Sequence, residues 1–119
     1  MTNWVAWMLE MKVQEGREND VRALMEEMVG ATRANEPGTL NYEWSFSADG
    51  KLCHLYERYA DSDAAMIHAG TFAARFAGRF LEVLAPIRFT FYGSPSQAVR
   101  DAAAPFNPIV MHPAAGVTR

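Results

Sequence analysis

The sequence holds one cysteine, Cys53, which excludes an internal disulfide and suits a reducing compartment. Basic residues are too few and too scattered for a nucleic-acid footprint: 11 Lys and Arg face 14 Asp and Glu, a net charge of −3. No apolar run approaches the ~20 residues that span a bilayer, and Met1-Thr2-Asn3-Trp4 lacks a charged region leading into a long apolar core. A cytoplasmic protein with neither a membrane nor a nucleic acid as partner is therefore expected. The chain also lacks a glycine-rich phosphate loop, a dinucleotide fingerprint and the Cys/His spacing of a metal centre. No nucleophile elbow can be read, and His54, His68 and His112 lie far apart. No metal or cofactor is expected on these grounds, leaving cofactor-independent chemistry or plain ligand binding.

What remains is greasy and aromatic. Half of the 119 residues are hydrophobic and 12% are aromatic, enough for one domain with a real core. Val5 to Val13 reads as a strand with Trp7, Leu9, Met11 and Val13 on one face and Glu10 and Lys12 on the other. From Arg17 to about Asn35, Val21, Leu24, Met25, Met28 and Thr32 recur at helical spacing, and Glu18 and Asp20 suit the positive end of that helix. Glu36-Pro37-Gly38 stops it. Leu40, Tyr42, Trp44 and Phe46 alternate with polar residues in a second strand. Ala48-Asp49-Gly50-Lys51 then turns the chain into a third strand, Leu52 to Tyr59.

Asp61-Ser62-Asp63 offers N-caps for a second helix running to about Leu84, with Ala65, His68, Phe72, Phe76, Arg79 and Val83 on one face. Pro86 is expected to end it, and Ile87 to Tyr92 forms a fourth strand. The order is βαββαβ, the ferredoxin-like split pattern, an α+β fold with a four-stranded antiparallel sheet. Residues 1–93 form this domain. Residues 94–119 form a C-terminal arm, with Ser96 to Ala103 a short helical turn and the proline-rich remainder irregular. The apolar Phe106, Ile109, Val110 and Met111 call for docking on the chain's own surface or a partner's, while free last residues are the plainer alternative.

Two helices cover one face of such a sheet. Tyr42 and Trp44 beside Leu55 and Tyr59, with Phe89 and Phe91 beside Tyr92, read as large side chains in both strand phases. The uncovered face would then exceed the apolar patch a monomer tolerates, and a two-fold homodimer would bury it.

Two residues stand out chemically. Glu57 sits between Leu55 and Tyr59 on one strand face, so a buried carboxylate there requires a partner. His68 or a tyrosine hydroxyl would create a proton-exchanging pair. A structural bond to a backbone amide, Arg75 or Arg79 is the alternative. His68 lies with Phe72 and Phe76, in surroundings that suit either a pocket or ordinary core packing.

Glu36-Pro37-Gly38-Thr39-Leu40-Asn41-Tyr42-Glu43, Leu55-Tyr56-Glu57-Arg58-Tyr59 and His68 with Thr71, together with the Pro113–Arg119 tail, resemble the antibiotic biosynthesis monooxygenase-like family. These are dimeric α+β barrel proteins that include quinol monooxygenases. The resemblance implies two ferredoxin-like subunits joined sheet to sheet, each with a cavity between sheet and helices. It implies oxidation of electron-rich phenols, quinols or polyketide-like aromatics by dioxygen without metal or flavin. His68 would be the general base or proton shuttle, Glu57 its orienting partner and Asn41 a polar anchor. Tyr42, Tyr59, Phe72 and Phe76 would shape the cavity. Tyr59 replaces the tryptophan usual two residues after the glutamate, and Ala73 stands where many members carry a second histidine. Haem-degrading relatives place an axial histidine near Phe76, so haem cleavage is not expected. A non-catalytic binding dimer and an acid/base isomerase are the other readings.

Overall fold

The computed structural model describes residues 3–119. Strand β1 (Val5–Val13) is followed by helix α1 (Glu18–Asn35), strands β2 (Thr39–Phe46) and β3 (Leu52–Tyr59), and helix α2 (Ser62–Thr71). A π-helical segment, Phe72–Phe76, joins α2 to α3 (Ala77–Val83), and strand β4 (Leu84–Gly93) starts directly from it. The chain ends with α4 (Gln97–Ala103), a 3-10 turn (Ala104–Phe106) and the two-residue strand β5 (Ile109–Val110). The sheet order is β2-β3-β1-β4-β5. The βαββαβ pattern is thus present, but the sheet has five strands and is mixed, because β5 runs parallel to β4. The arm, expected to be irregular after Pro105, supplies this strand.

Local chemistry explains most boundaries. Asp61 is the N-cap of α2, its Oδ1 accepting from Ala64 N at 2.9 Å. Ser96 caps α4 in the same way. Gly50 turns the β2–β3 hairpin with φ +75°, beside Ser47 and Asp49 side chains that bond the loop backbone. Pro86 lies inside β4 rather than ending a helix. It is tolerated because β5 pairs only with Thr90 and Phe91, leaving the Pro86 end of β4 an edge. A bulge beside it skips Ile87, since Glu10 pairs with Arg88 and Met11 with Pro86.

Sheet register decides which side chains meet. Tyr42 pairs with Glu57, Glu57 with Trp7 and Trp7 with Phe91, so these four form one row on the helix-covered face. Trp44, Leu55, Leu9 and Phe89 form the next row. Tyr42, Trp44, Leu55, Tyr59, Phe89 and Phe91 therefore share a single face, not two. The opposite face presents Glu10, Lys12, His54, Arg58, Glu43 and Arg88 around Met8, Leu52, Tyr56, Tyr92 and Ile109. Charged residues are interspersed with exposed Leu52, Tyr92 and Ile109 there, so the apolar area offered to a second copy is smaller than the sequence reading assumes.

The π segment has a clear geometric effect. In a regular α-helix, residues four apart drift by about 40° per step, which would carry a His68–Phe72–Phe76–Phe80 stripe off the core. The wider turn between Phe72 and Phe76 resets that drift. Phe76, Phe80 and Val83 are buried, whereas Arg79, expected on the inner face, is exposed and forks onto Glu27 at 2.7 and 2.9 Å.

Candidate acid–base site

Glu36, His68 and Glu57 form an unbroken line of buried polar groups. His68 Nδ1 lies 2.8 Å from Glu36 Oε1, and His68 Nε2 lies 3.0 Å from Glu57 Oε1. The Tyr59 hydroxyl donates to the same Glu57 oxygen, and the Thr39 hydroxyl donates to Glu36 Oε1 at 3.0 Å. The His68, Glu36 and Glu57 side chains are 9%, 3% and 6% exposed. Among the described residues, Glu57 Oε2 receives no hydrogen bond; both contacts fall on Oε1.

Three elements bring the line together. Strand alternation puts Glu57 and Tyr59 under the helices, two residues apart on one face. His68 lies one helical turn after Ala64, both buried on the inner face of α2. Glu36 follows α1, and the turn after it packs against α2 because Gly38 has no side chain. A Cβ at Gly38 would lie 2.7 Å from the Ala64 Cβ. Gly38 O also accepts from Ala60 N at 3.0 Å, tying this turn to the end of β3.

Electrostatics set the proton inventory. Burial alone would lower the His68 pKa, but the Glu57 charge and hydrogen bonding to both carboxylates outweigh it and push it up to about 10. Burial likewise raises Glu36, but its bonds and charge interaction with His68 win and hold it below the ordinary carboxylate value. The raised pKa favours the imidazolium, the form in which each ring nitrogen can donate to the carboxylate beside it. With both nitrogens engaged by carboxylates, the base role implied for His68 has no unengaged nitrogen in this arrangement.

Glu57 and His68 open onto a cavity of about 500 Å³ between sheet and helices. Its floor includes Trp7, Leu9, Leu55, Phe89 and Phe91; α2 to α3 contribute Met66, Phe72 and Phe80; the C-terminal segment adds Val99, Ala102 and Phe106. No lysine or arginine lines it. Besides Glu57 and His68, the polar side chain in the lining is Tyr42, which meets the His68 ring edge-on at 4.9 Å. The Tyr42 hydroxyl and the Trp44 indole N–H, neighbours along β2, are both buried without a hydrogen-bond partner. Burial and the Glu57 charge raise the Tyr42 pKa, so its phenol stays protonated.

Of the residues singled out from sequence, Glu57, His68, Tyr42 and Phe72 line the cavity. Tyr59 is fully buried behind Glu57, and its pKa is raised by burial and by that carboxylate. Phe76 packs on the far side of His68, in a small hollow shared with Glu36 and Thr32. Asn41 falls on the opposite face of the sheet, where its Nδ2 donates to Glu43 and its Oδ1 accepts from Arg58 Nε at 2.9 Å. It cannot anchor a ligand in the cavity, because strand alternation sends Asn41 and Tyr42 to opposite sides. Arg75 and Arg79 make no contact with Glu57; Arg79 is engaged by Glu27. Glu36 reads from sequence as part of a helix stop and of a segment that resembles the family, with no chemical role assigned to it. A carboxylate at the negative end of an 18-residue helix opposes the dipole, and that conflict is the available signal. Among the described residues no cluster of His, Cys, Asp and Glu is placed to hold a metal ion, and no helix is long and apolar enough to cross a membrane.

The architecture has clear relatives. MupZ from Pseudomonas fluorescens superposes with a TM-score of 0.86 at 21% identity, covering 100% of this chain and 91% of that one. Rv0793 from Mycobacterium tuberculosis gives a TM-score of 0.66 at 28% identity, covering 80% of this chain and 98% of that one. About a fifth of the chain thus has no counterpart in Rv0793, whereas the likeness to MupZ runs throughout. No curated protein matches the sequence. The family model for antibiotic biosynthesis monooxygenase matches residues 5–79, a span that contains Glu36, Glu57 and His68. By that match, over more than half its length, the chain belongs to the antibiotic biosynthesis monooxygenase family.

Proposed function

We propose that the protein is a cofactor-independent monooxygenase of uncharged, electron-rich aromatic molecules of phenol, quinol or polyketide type, working as a homodimer with dioxygen as second substrate. The observation that carries this reading is the buried Glu36–His68–Glu57 line at one end of an otherwise apolar cavity of about 500 Å³. Family membership supports the reaction class.

In this reading Glu57 is the proton acceptor, through the Oε2 that no protein group occupies. Deprotonating a phenol or activated C–H normally creates a charge that an apolar cavity resists. Here the substrate proton passes to Glu57 as the substrate becomes an anion, so the transfer leaves the total buried charge unchanged. The His68 ring lies beside the transferred proton, with Nε2 3.0 Å from Glu57 Oε1. Tyr59 and Glu36 are positioning residues that act through Glu57 and His68. The anion passes an electron to dioxygen, the radical pair combines into a C–O bond, and the resulting peroxide anion takes the proton back from Glu57. The hydroperoxide then loses water to leave a carbonyl. One oxygen atom enters the product, the other leaves in water, and the substrate is the only reductant. The cavity excludes solvent that would quench the anion.

Oxygen uptake with uncharged hydroquinones and anthrone-type compounds tests the proposal. Turnover by the wild type that falls at least ~100-fold in Glu57→Gln, with the fold retained, is the expected result. Solvent deuterium entering the substrate without oxygen consumption would overturn the oxygenase reading in favour of an isomerase. Binding with neither process would leave a carrier protein.

A further inference from the structure

We propose that Phe106, on the C-terminal arm, is a specificity-determining residue that limits how far the apolar body of a ligand extends from Glu57. The inference takes the cavity as the ligand site, as in the function proposed above, but it does not depend on oxygen chemistry.

The cavity has one polar end and one aromatic end. Glu57 stands on β3, while Phe89 lies two strands away on β4, with β1 between them. Neighbouring strands are ~4.8 Å apart, so the floor between these two ends is about 10 Å across. Phe106 closes the β4 end, with its ring edge-on to Phe89 at 6.1 Å and to Phe72 at 6.3 Å. It bridges floor and helix layer on the β4 side of the cavity, two strands from the carboxylate.

The arm holds that ring from both sides. Ser96 N donates to Ser62 Oγ at 2.9 Å before α4, and Met111 N donates to Phe91 O at 2.9 Å after it. Between these anchors the 3-10 turn presents Phe106, and Asn107 reverses the chain with φ 51°, a conformation asparagine tolerates better than most residues. A ring clamped this way acts as a fixed stop rather than a loose flap. A ligand with a donor head at Glu57 and a two-ring body fits the space, whereas a longer rigid body meets Phe106.

Tryptophan fluorescence offers a direct readout, because Trp7 lines the cavity. The wild type, Phe106→Leu and Phe106→Ala would be titrated with two uncharged phenols, 2-naphthol and the longer 4-(4-hydroxyphenyl)biphenyl, after their urea midpoints are measured. The expected result is that Phe106→Ala tightens the longer phenol roughly tenfold relative to 2-naphthol, with Phe106→Leu between. Equal change for both phenols, or no change, would overturn the assignment. Failure of both phenols to bind the wild type would overturn it as well. Selective binding without oxygen uptake would retain Phe106 as the stop and remove only the oxygenase reading.

Discussion

Each side of the sheet has a glutamate–histidine pair, the inner histidine supplied by α2, and the two pairs differ in almost everything except composition. Under the helices, His68 lies 3.0 Å from Glu57, with both side chains under 10% exposed. On the open face, His54 lies 3.9 Å from Glu10, with side chains 44% and 29% exposed, and Arg88 shares the same carboxylate at 3.6 Å. Water and salt screen the outer pair, so it contributes little. The inner pair has lost its water and is held by Glu36 and Tyr59 instead, so breaking it exposes the full cost of a buried charge. The lesson is that the chemistry belongs to the enclosure, with the residue pair only its instrument.

The sharpest way to break this contrast is His68→Ala, which leaves Glu36 and Glu57 as facing carboxylates without their shared cation. A loss of ~3–5 kcal/mol in urea unfolding is expected, together with loss of turnover. Near-wild-type stability would mean that the buried line is not ionised.

Next in size is pH dependence. His68 holds its proton to about pH 10 when folded and to about 6.5 when unfolded. Below pH 6.5 both states are protonated and the interaction contributes fully. Above it unfolding releases the proton, so stability falls as pH rises and the contribution is gone beyond about pH 10. Glu36 gives the opposite limb: its folded pKa is depressed from 4.5, so its contribution is present above 4.5 and is lost as pH falls through the depressed value. Unfolding free energy from urea titrations should therefore be highest between these ordinary values. It should decline by a few kcal/mol toward pH 10, because each tenfold difference in proton affinity is worth about 1.4 kcal/mol. A flat profile from pH 6 to 10 would remove the imidazolium assignment.

The smallest effect completes the contrast. His54→Ala should change unfolding stability by less than ~0.5 kcal/mol and leave ligand binding alone. A loss comparable to that of His68→Ala would mean the open face is covered in solution, as a sheet-to-sheet dimer would cover it.

Much of this arrangement is legible in the sequence. Period-two alternation puts Glu57 and Tyr59 on a greasy strand face, and helical spacing puts His68 with Phe72, so the central pair can be named from the residues alone. What escapes depends on register between distant segments. Glu36 looks like punctuation because its partner lies 32 residues away, and Gly38 counts only once Ala64 is seen against it. Tyr92 does face away from Phe89 and Phe91, but Tyr42 and Trp44 share a face with Leu55 and Tyr59, because alternation within a strand does not fix its phase relative to the next. The bulge at Ile87 changes that phase within β4. Asn41 and Tyr42 cannot both face one cavity, and alternation alone excludes that. The fifth strand is hidden because two residues carry no periodicity.

The extra backbone turn at Phe72–Phe76 has a bearing on how this chain should be compared with its relatives. Past that point, a cousin with an uninterrupted helix would present a given inward position one residue earlier. Mutational data carried across by simple counting would then equate an inner phenylalanine with an outer arginine. Superposition of backbones, with a one-place slip allowed after Phe76, is the frame in which equivalent side chains line up.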